Sequence, residues 1–270
     1  LYTMYGSAPE VSDALVIGVS QSGQSPDVVA VVAEGTRQNA TTLALTNDPG
    51  SPLARAADLC FPLGAGDEAA VAASKTYTSQ LAAMAMLSAA LAGDEERWLE
   101  LEKVPDAMRA ALEAADAAQS GAGAVAGASR VAVLGRGFNF ATAFEAALKL
   151  KETCYIAAEP YSWADFLHGP IAMLDQKCPV LLIAPSGVAS ADAGEIAVTL
   201  AGRGAPMVVV SDRADLLARG DVRLAIPAAP EWLSPLVAII PCQLLALAVA
   251  AALGHDPDRP RGLAKVTLTT

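Results

Sequence analysis

Short aliphatic and β-branched runs alternate along the chain with longer stretches whose apolar positions recur at helical spacing. The runs Ala14 to Val19, Thr41 to Thr46, Leu59 to Phe61, Arg130 to Leu134, Pro179 to Ala184, Pro206 to Val210 and Arg223 to Ile226 predict strands. Between them, Pro26 to Gln38, Ala69 to Leu91, Asn139 to Glu152, Ala189 to Arg203 and Ser234 to Leu253 predict helices. Strand and helix in alternation imply parallel strands covered on both faces, a doubly wound α/β architecture. A charged, alanine-rich helix over Asp94 to Ala118 leads into a Gly/Ala/Ser-rich stretch from Ser120 to Ser129, which suggests a domain boundary. The expected division is therefore a first domain over 1–119, a second over 120–253 and a tail over 254–270.

The two halves repeat one another in outline. Each runs strand, helix, strand, short strand and long helix, but the second half begins with an additional strand and helix at 130–152. The expectation is an N-terminal piece, missing before Leu1, that would complete the first sheet. Leu233 to Leu253 carries no charged residue and is about long enough to cross a bilayer. Pro235, Pro241, Gln243 and the abundant alanine, with no Lys/Arg bias on either flank, predict instead a helix buried between layers.

Composition sharpens this picture. The 270 residues are 53% hydrophobic and 17% charged, which suits a folded core and not a disordered chain. A net charge of −11 argues against a nucleic-acid surface, since phosphate backbones are held by clustered Lys and Arg. It leaves room for a small anion at a helix start, where backbone N–H groups do the binding. Cys60, Cys154, Cys178 and Cys242 form no C-x-x-C pair, and His168 and His255 are too few and too far apart to announce a metal site. No basic, then apolar, leader opens the sequence, so the expected location is the cytoplasm.

Four segments carry candidate chemistry. Ser20-Gln21-Ser22-Gly23-Gln24-Ser25-Pro26 follows a strand and opens a helix, with Ser25 placed as N-cap and Pro26 as first helical residue. Such a turn can cradle a phosphoryl group, and equally can be an ordinary serine-rich connection; it lacks the Gly-Lys-[Ser/Thr] ending of a P-loop. Gly135-Arg136-Gly137 begins a dinucleotide fingerprint, but Phe140 stands at its third glycine position. On the helix from Asn139, Glu145 and Glu152 are seven residues apart with Lys149 between them. That pattern suits a solvated salt-bridged face, or a carboxylate base beside a cation, able to move a proton between adjacent carbons. Phe166-Leu167-His168-Gly169-Pro170 sets a histidine in a turn, where it can cap or serve acid–base work.

Together these residues resemble the sugar isomerase (SIS) domain family, in particular the double-SIS isomerase modules of glutamine:fructose-6-phosphate aminotransferases and related glucosamine-6-phosphate deaminases and fructosamine-6-phosphate deglycases. The likeness rests on seven motifs in the family's order: Ser20 to Pro26, Val71 to Thr76, Leu134 to Gly137, Glu145 to Glu152, His168-Gly169-Pro170, Pro241 to Leu245 and Arg261-Gly262-Leu263-Ala264-Lys265. It implies two tandem SIS domains, each a mainly parallel sheet flanked by helices. Ser20, Gln21, Ser22 and Ser25 would bind the sugar phosphate, with Val71 and Ala73 in the substrate loop. Glu152 would shuttle a proton between C1 and C2 through an enediol or enolamine, with Glu145 and Lys149 lining the sugar site. His168, lent by the neighbouring subunit of a homodimer, would assist ring opening, and Lys265 in the tail would contact the open-chain sugar.

No metal or cofactor is implied. The glutaminase half is absent from this sequence, and Ala73 stands where the aminotransferase carries serine. These departures favour a relative acting on phosphorylated amino sugars or fructosamines. The rival is a non-catalytic sugar-phosphate sensor, for which no helix-turn-helix or basic patch is evident.

Overall fold

The computed structural model describes residues 2–263. They form two compact units, one taking in the chain up to Leu87 and the other Ser88–Arg261. Residues 120–129, where composition suggested a boundary, lie inside the second unit, and the division falls within helix Lys75–Ala92. The charged stretch expected as one helix over Asp94 to Ala118 is broken into Glu95–Leu101, Val104–Ala111, a 3-10 turn Leu112–Ala114 and Ala115–Gly121.

In the first unit, β1 (Leu15–Val19), β2 (Thr41–Thr46) and β3 (Leu59–Pro62) form a parallel sheet in the order β1-β2-β3. Helix Pro26–Arg37 carries the chain from β1 to β2, and the short helix Pro52–Ala56 from β2 to β3. Crossovers of this kind are what parallel neighbours require. The core is small: Val32, Ala44 and Leu53 are buried, with Val16, Val28 and Val29 packed against them.

In the second unit, β4 (Arg130–Gly135), β5 (Ala157–Ser162), β6 (Val180–Ile183), β7 (Met207–Ser211) and β8 (Val222–Ala225) form a parallel sheet in the order β5-β4-β6-β7-β8. The strand order reverses at β4, so the carboxyl ends of β4 and β6 flank a topological switch point, the usual crevice of such sheets. The sequence reading has no counterpart to β5. Glu159 and Pro160 lower its strand signal, and the structure accommodates the proline because β5 is an edge strand. The interior strands are buried on both faces, as their continuous aliphatic runs require.

Helix Ser234–Ala252 is the one described helix long and apolar enough to cross a membrane, and 67% of its apolar window is buried inside the protein. It packs against helix Asn139–Lys149 and against Val104–Ala111 and Ala115–Gly121. The first unit's order β1-β2-β3 matches the β6-β7-β8 part of the second sheet, connection by connection. Both sheets are parallel and flanked by helices, as the alternating pattern predicts.

Candidate active site

The serine-rich loop leaves β1 and enters helix Pro26–Arg37 as expected. Ser20 N–H donates to the Leu45 carbonyl at 3.1 Å, extending the β1–β2 ladder by one residue. The chain then turns: the Gln21 carbonyl accepts from Asn47 N–H at 3.0 Å and from the Thr46 hydroxyl at 3.2 Å. Gly23 has φ +61°, and a Cβ there would lie 2.1 Å from Ser51 Oγ, so this position tolerates no side chain. Ser51 is itself fixed as the N-cap of Pro52–Ala56, accepting from Ala54 N–H. The N–H groups of Gly23 and Gln24 reach only the neighbouring hydroxyls of Ser20 and Ser22, at 3.2 and 3.3 Å. Ser25 occupies the N-cap position with extended backbone, but its hydroxyl makes no capping bond, which corrects the simple expectation that it caps the helix. Its hydroxyl and the helix start are thus available to an anion.

Val71 and Ala73 lie half-buried in the segment leading to helix Lys75–Ala92. Its first turn is capped by Glu68, whose carboxylate accepts from Ser74 N–H at 3.2 Å and from Thr76 N–H and Oγ1 at 2.9 Å each. A carboxylate at a helix N-terminus satisfies otherwise orphaned donors.

In the second unit, Lys149 sits between two acids. Its Nζ is 2.6 Å from Glu152 Oε2 and 3.5 Å from Glu145 Oε1. The expectation of a solvated face does not hold: the side chains of Lys149, Glu145 and Glu152 are only 8%, 10% and 23% exposed. Burial pushes the Glu145 carboxyl up to about 7; the Lys149 ammonium opposes this rise and the Glu152 charge adds to it.

Helix Asn139–Lys149 does not continue regularly to Glu152. Leu150–Cys154 forms a π turn that ends at Tyr155, a left-handed residue with φ +60°. Thr153 Oγ1 bonds back to the Lys149 carbonyl at 2.8 Å, and the turn brings Glu152 to Lys149. The Tyr155 ring stacks on His255 at 4.6 Å and lies under the Arg261 guanidinium at 4.3 Å, while its hydroxyl accepts from Arg261 N–H at 2.6 Å. The tail up to Arg261 is thereby fastened next to the π turn, and nothing in the sequence signalled Tyr155 in that role. Lys265 lies outside the described residues.

His168 is exposed in the turn between Trp163–Phe166 and the 3-10 turn Pro170–Met173, and its N–H donates to the Asp165 carbonyl at 3.1 Å. Among the described residues no hydrogen bond joins it to Glu145, Lys149 or Glu152. The structure therefore gathers the two acids and the lysine, and His168 is not hydrogen-bonded to them.

Two parallel α/β units, one with a serine loop at a helix start and the other with a buried acid–lysine–acid cluster, define a protein of the doubly wound α/β class. The sequence profile of the SIS domain matches residues 4–90 and 125–253, and the chain belongs to that family. It is 40% identical over 260 residues to the isomerizing glutamine–fructose-6-phosphate aminotransferase of Thermococcus kodakarensis, a match covering 93% of this chain and 43% of the relative. The chain thus spans less than half the length of that relative. Among solved structures, the C-terminal domain of glucosamine-fructose-6-phosphate aminotransferase from Francisella tularensis superposes with a TM-score of 0.87 at 28% identity, covering 95% of this chain and 76% of that one. A glucosamine-6-phosphate deaminase from Thermotoga maritima shares the fold, with a TM-score of 0.78 at 22% identity over 99% of this chain and 79% of that one.

Proposed function

We propose that this chain is a phosphosugar aldose/ketose isomerase that acts on amino-sugar phosphates, in the manner of a glucosamine-6-phosphate deaminase/isomerase. The observation that carries the reading is Lys149 clamped between Glu145 and Glu152 on a π turn, with Glu145 titrating near neutrality. A general base at carbon has to be held in a fixed position, which the Lys149 contact gives Glu152. The two stretches matched by the SIS profile, 4–90 and 125–253, support a tandem pair of SIS repeats.

In this mechanism the phosphate sits on Ser20, Gln21, Ser22 and Ser25, with Val71 and Ala73 along the substrate loop. His168, from the neighbouring subunit of a homodimer, assists ring opening. The Glu152 carboxylate removes the C2 proton of the open-chain amino aldose, the bonding pair becomes the C1–C2 double bond, and the C1 carbonyl oxygen takes up a proton, giving an enolamine. Returning the proton to C1 while the nitrogen releases one gives the C2 imine, and water hydrolyses it to the ketose phosphate and ammonia. Lys149 holds Glu152 in place and offsets its charge, Glu145 supports Lys149 from the other side, and Lys265 contacts the open chain. All of this is proton transfer and hydrolysis, carried by side chains in the cytoplasm.

A coupled ammonia-release assay over glucosamine 6-phosphate, fructose 6-phosphate and fructosamine 6-phosphates tests it. Turnover of glucosamine 6-phosphate with ammonia release is expected, and Glu152→Gln should lower kcat by roughly 10²- to 10⁴-fold. Release from fructosamine phosphates alone would make the chain a deglycase. Saturable binding with no turnover would make it a sugar-phosphate sensor.

A further inference from the structure

The second unit repeats the phosphate loop of the first and fills it from within. Ser20 N–H pairs with the Leu45 carbonyl after β1, and Ala184 N–H pairs with the Val210 carbonyl after β6. Counting on from these bonds, Ser22 and Gly23 correspond to Ser186 and Gly187, and Thr46-Asn47 corresponds to Ser211-Asp212. Both loops leave the carboxyl end of a parallel strand, the first into helix Pro26–Arg37 and the second into a 3-10 turn, Val188–Ser190, ahead of helix Ala193–Ala201; successive N–H groups in such turns can form an anion cradle.

The donors of the two loops have different acceptors. In the first loop, Gln24 N–H, the counterpart of Val188 N–H, reaches the Ser22 hydroxyl, and Gly23 N–H before it reaches that of Ser20. In the second, Val188 and Ala189 N–H donate to the two oxygens of one carboxylate, Glu231, at 3.0 and 2.8 Å. Ser186 N–H donates to Asp212 Oδ1 at 2.6 Å. A Cβ at Gly187 would come within 2.4 Å of the Glu231 side chain, so the loop is shaped around that carboxylate.

The acids of the first unit turn elsewhere. Asn47 replaces the equivalent of Asp212 and bonds Ala65 N–H and the Gly66 carbonyl. Glu68, which like Glu231 lies between the last strand and the long helix, caps that helix. Glu231 is held in its different place: its carbonyl accepts from the Ser234 hydroxyl at 2.7 Å, and that hydroxyl in turn accepts from Asn139 at 2.7 Å. Next to it, Trp232 is tied to Glu100 at 2.6 Å.

We propose that Glu231 is a resident substitute for a phosphoryl group, a specificity residue that closes the second unit's anion cradle and leaves the chain one phosphate loop instead of two. Glu231 lines an open cleft of about 810 Å³ together with Arg136, whose guanidinium is held by Asp192 at 2.5 Å. A phosphate monoester or inorganic phosphate is the ligand that this cleft would accept once the carboxylate is gone. The proposal rests on reading the first loop as the phosphate site, and the two are separable by experiment.

Amide NMR of the full chain, titrated with inorganic phosphate, follows both loops at once. In the wild type, Gly23 and Gln24 amides should shift saturably while Val188 and Ala189 stay still. In Glu231→Ala, the Val188 and Ala189 amides should also shift saturably. Glu231→Ser, which also vacates the cradle, reads the same effect if the alanine variant does not fold. Val188 and Ala189 amides that titrate in the wild type, or that stay still in a folded variant, overturn the proposal. Silent Gly23 and Gln24 amides beside a responding E231A loop would instead overturn the assignment of the first loop.

Discussion

Glu145 and Glu152 share one lysine yet differ in what surrounds them. Glu145 is the more enclosed, and burial outweighs the Lys149 attraction enough to raise its carboxyl to about 7, whereas Glu152 has the closer contact with Lys149 at 2.6 Å and more exposure. A carboxyl raised in the folded state binds its proton more tightly there than in the unfolded chain. Its contribution is therefore most favourable below about pH 4.5 and is lost as pH rises to about 7, a span worth up to about 3 kcal/mol. Chemical denaturation between pH 4 and 8 should show this decline in the wild type, and Glu145→Gln should flatten it. If, as proposed, Glu145 positions Lys149 and the proton passes through Glu152, then in steady-state kinetics Glu145→Gln should shift the rising limb of kcat/KM with pH while keeping substantial turnover. Loss of activity as severe as in Glu152→Gln would assign the base to Glu145.

At the scale of elements, the loop after β1 is rigid because Gly23 fits against Ser51 with no room to spare. Gly23→Ala combines a left-handed φ with a collision, so a loss of roughly 1–3 kcal/mol is expected, together with weaker phosphosugar binding. Thermal unfolding and a binding titration would measure both, and an unchanged protein would show that the loop can shift aside. This loop was legible in the sequence because Ser20 to Pro26 carries its own punctuation between an aliphatic strand and a helix. The same holds for β1, β2, β4, β6 and β7, whose patterns are strong and local. Three features were not legible. Edge strand β5 contains Glu159 and Pro160, residues that read as a loop until an edge position makes them admissible. The π turn at Leu150 breaks a pattern that is helical throughout, and it is maintained by the Thr153 bond and the Tyr155 contacts, not by local propensity. Glu231 looks like any acid in the first turn of a helix, and only the fold shows its oxygens on Val188 and Ala189.

At the scale of the whole molecule, a net charge of −11 repels an anionic phosphosugar at long range, so the proposed recognition would rest on the few donors at the serine loop. Salt, by screening that repulsion, should then leave substrate binding unchanged or strengthen it slightly. The position of His168 bears on assembly. It is exposed on a turn, and among the described residues no hydrogen bond joins it to Glu145, Lys149 or Glu152. If each site takes Glu152 from one subunit and His168 from the other, two inactive variants can rescue each other. Glu152→Gln retains a good histidine, and His168→Ala retains a good base. In a mixed dimer one of the two sites then receives both intact residues, so an equal mixture allowed to exchange subunits should recover about a quarter of wild-type activity. Recovery should follow the exchange of subunits measured by mass, and appear in neither variant alone. A mixture that exchanges subunits fully and stays inactive would place His168 in its own chain's site or outside the chemistry altogether.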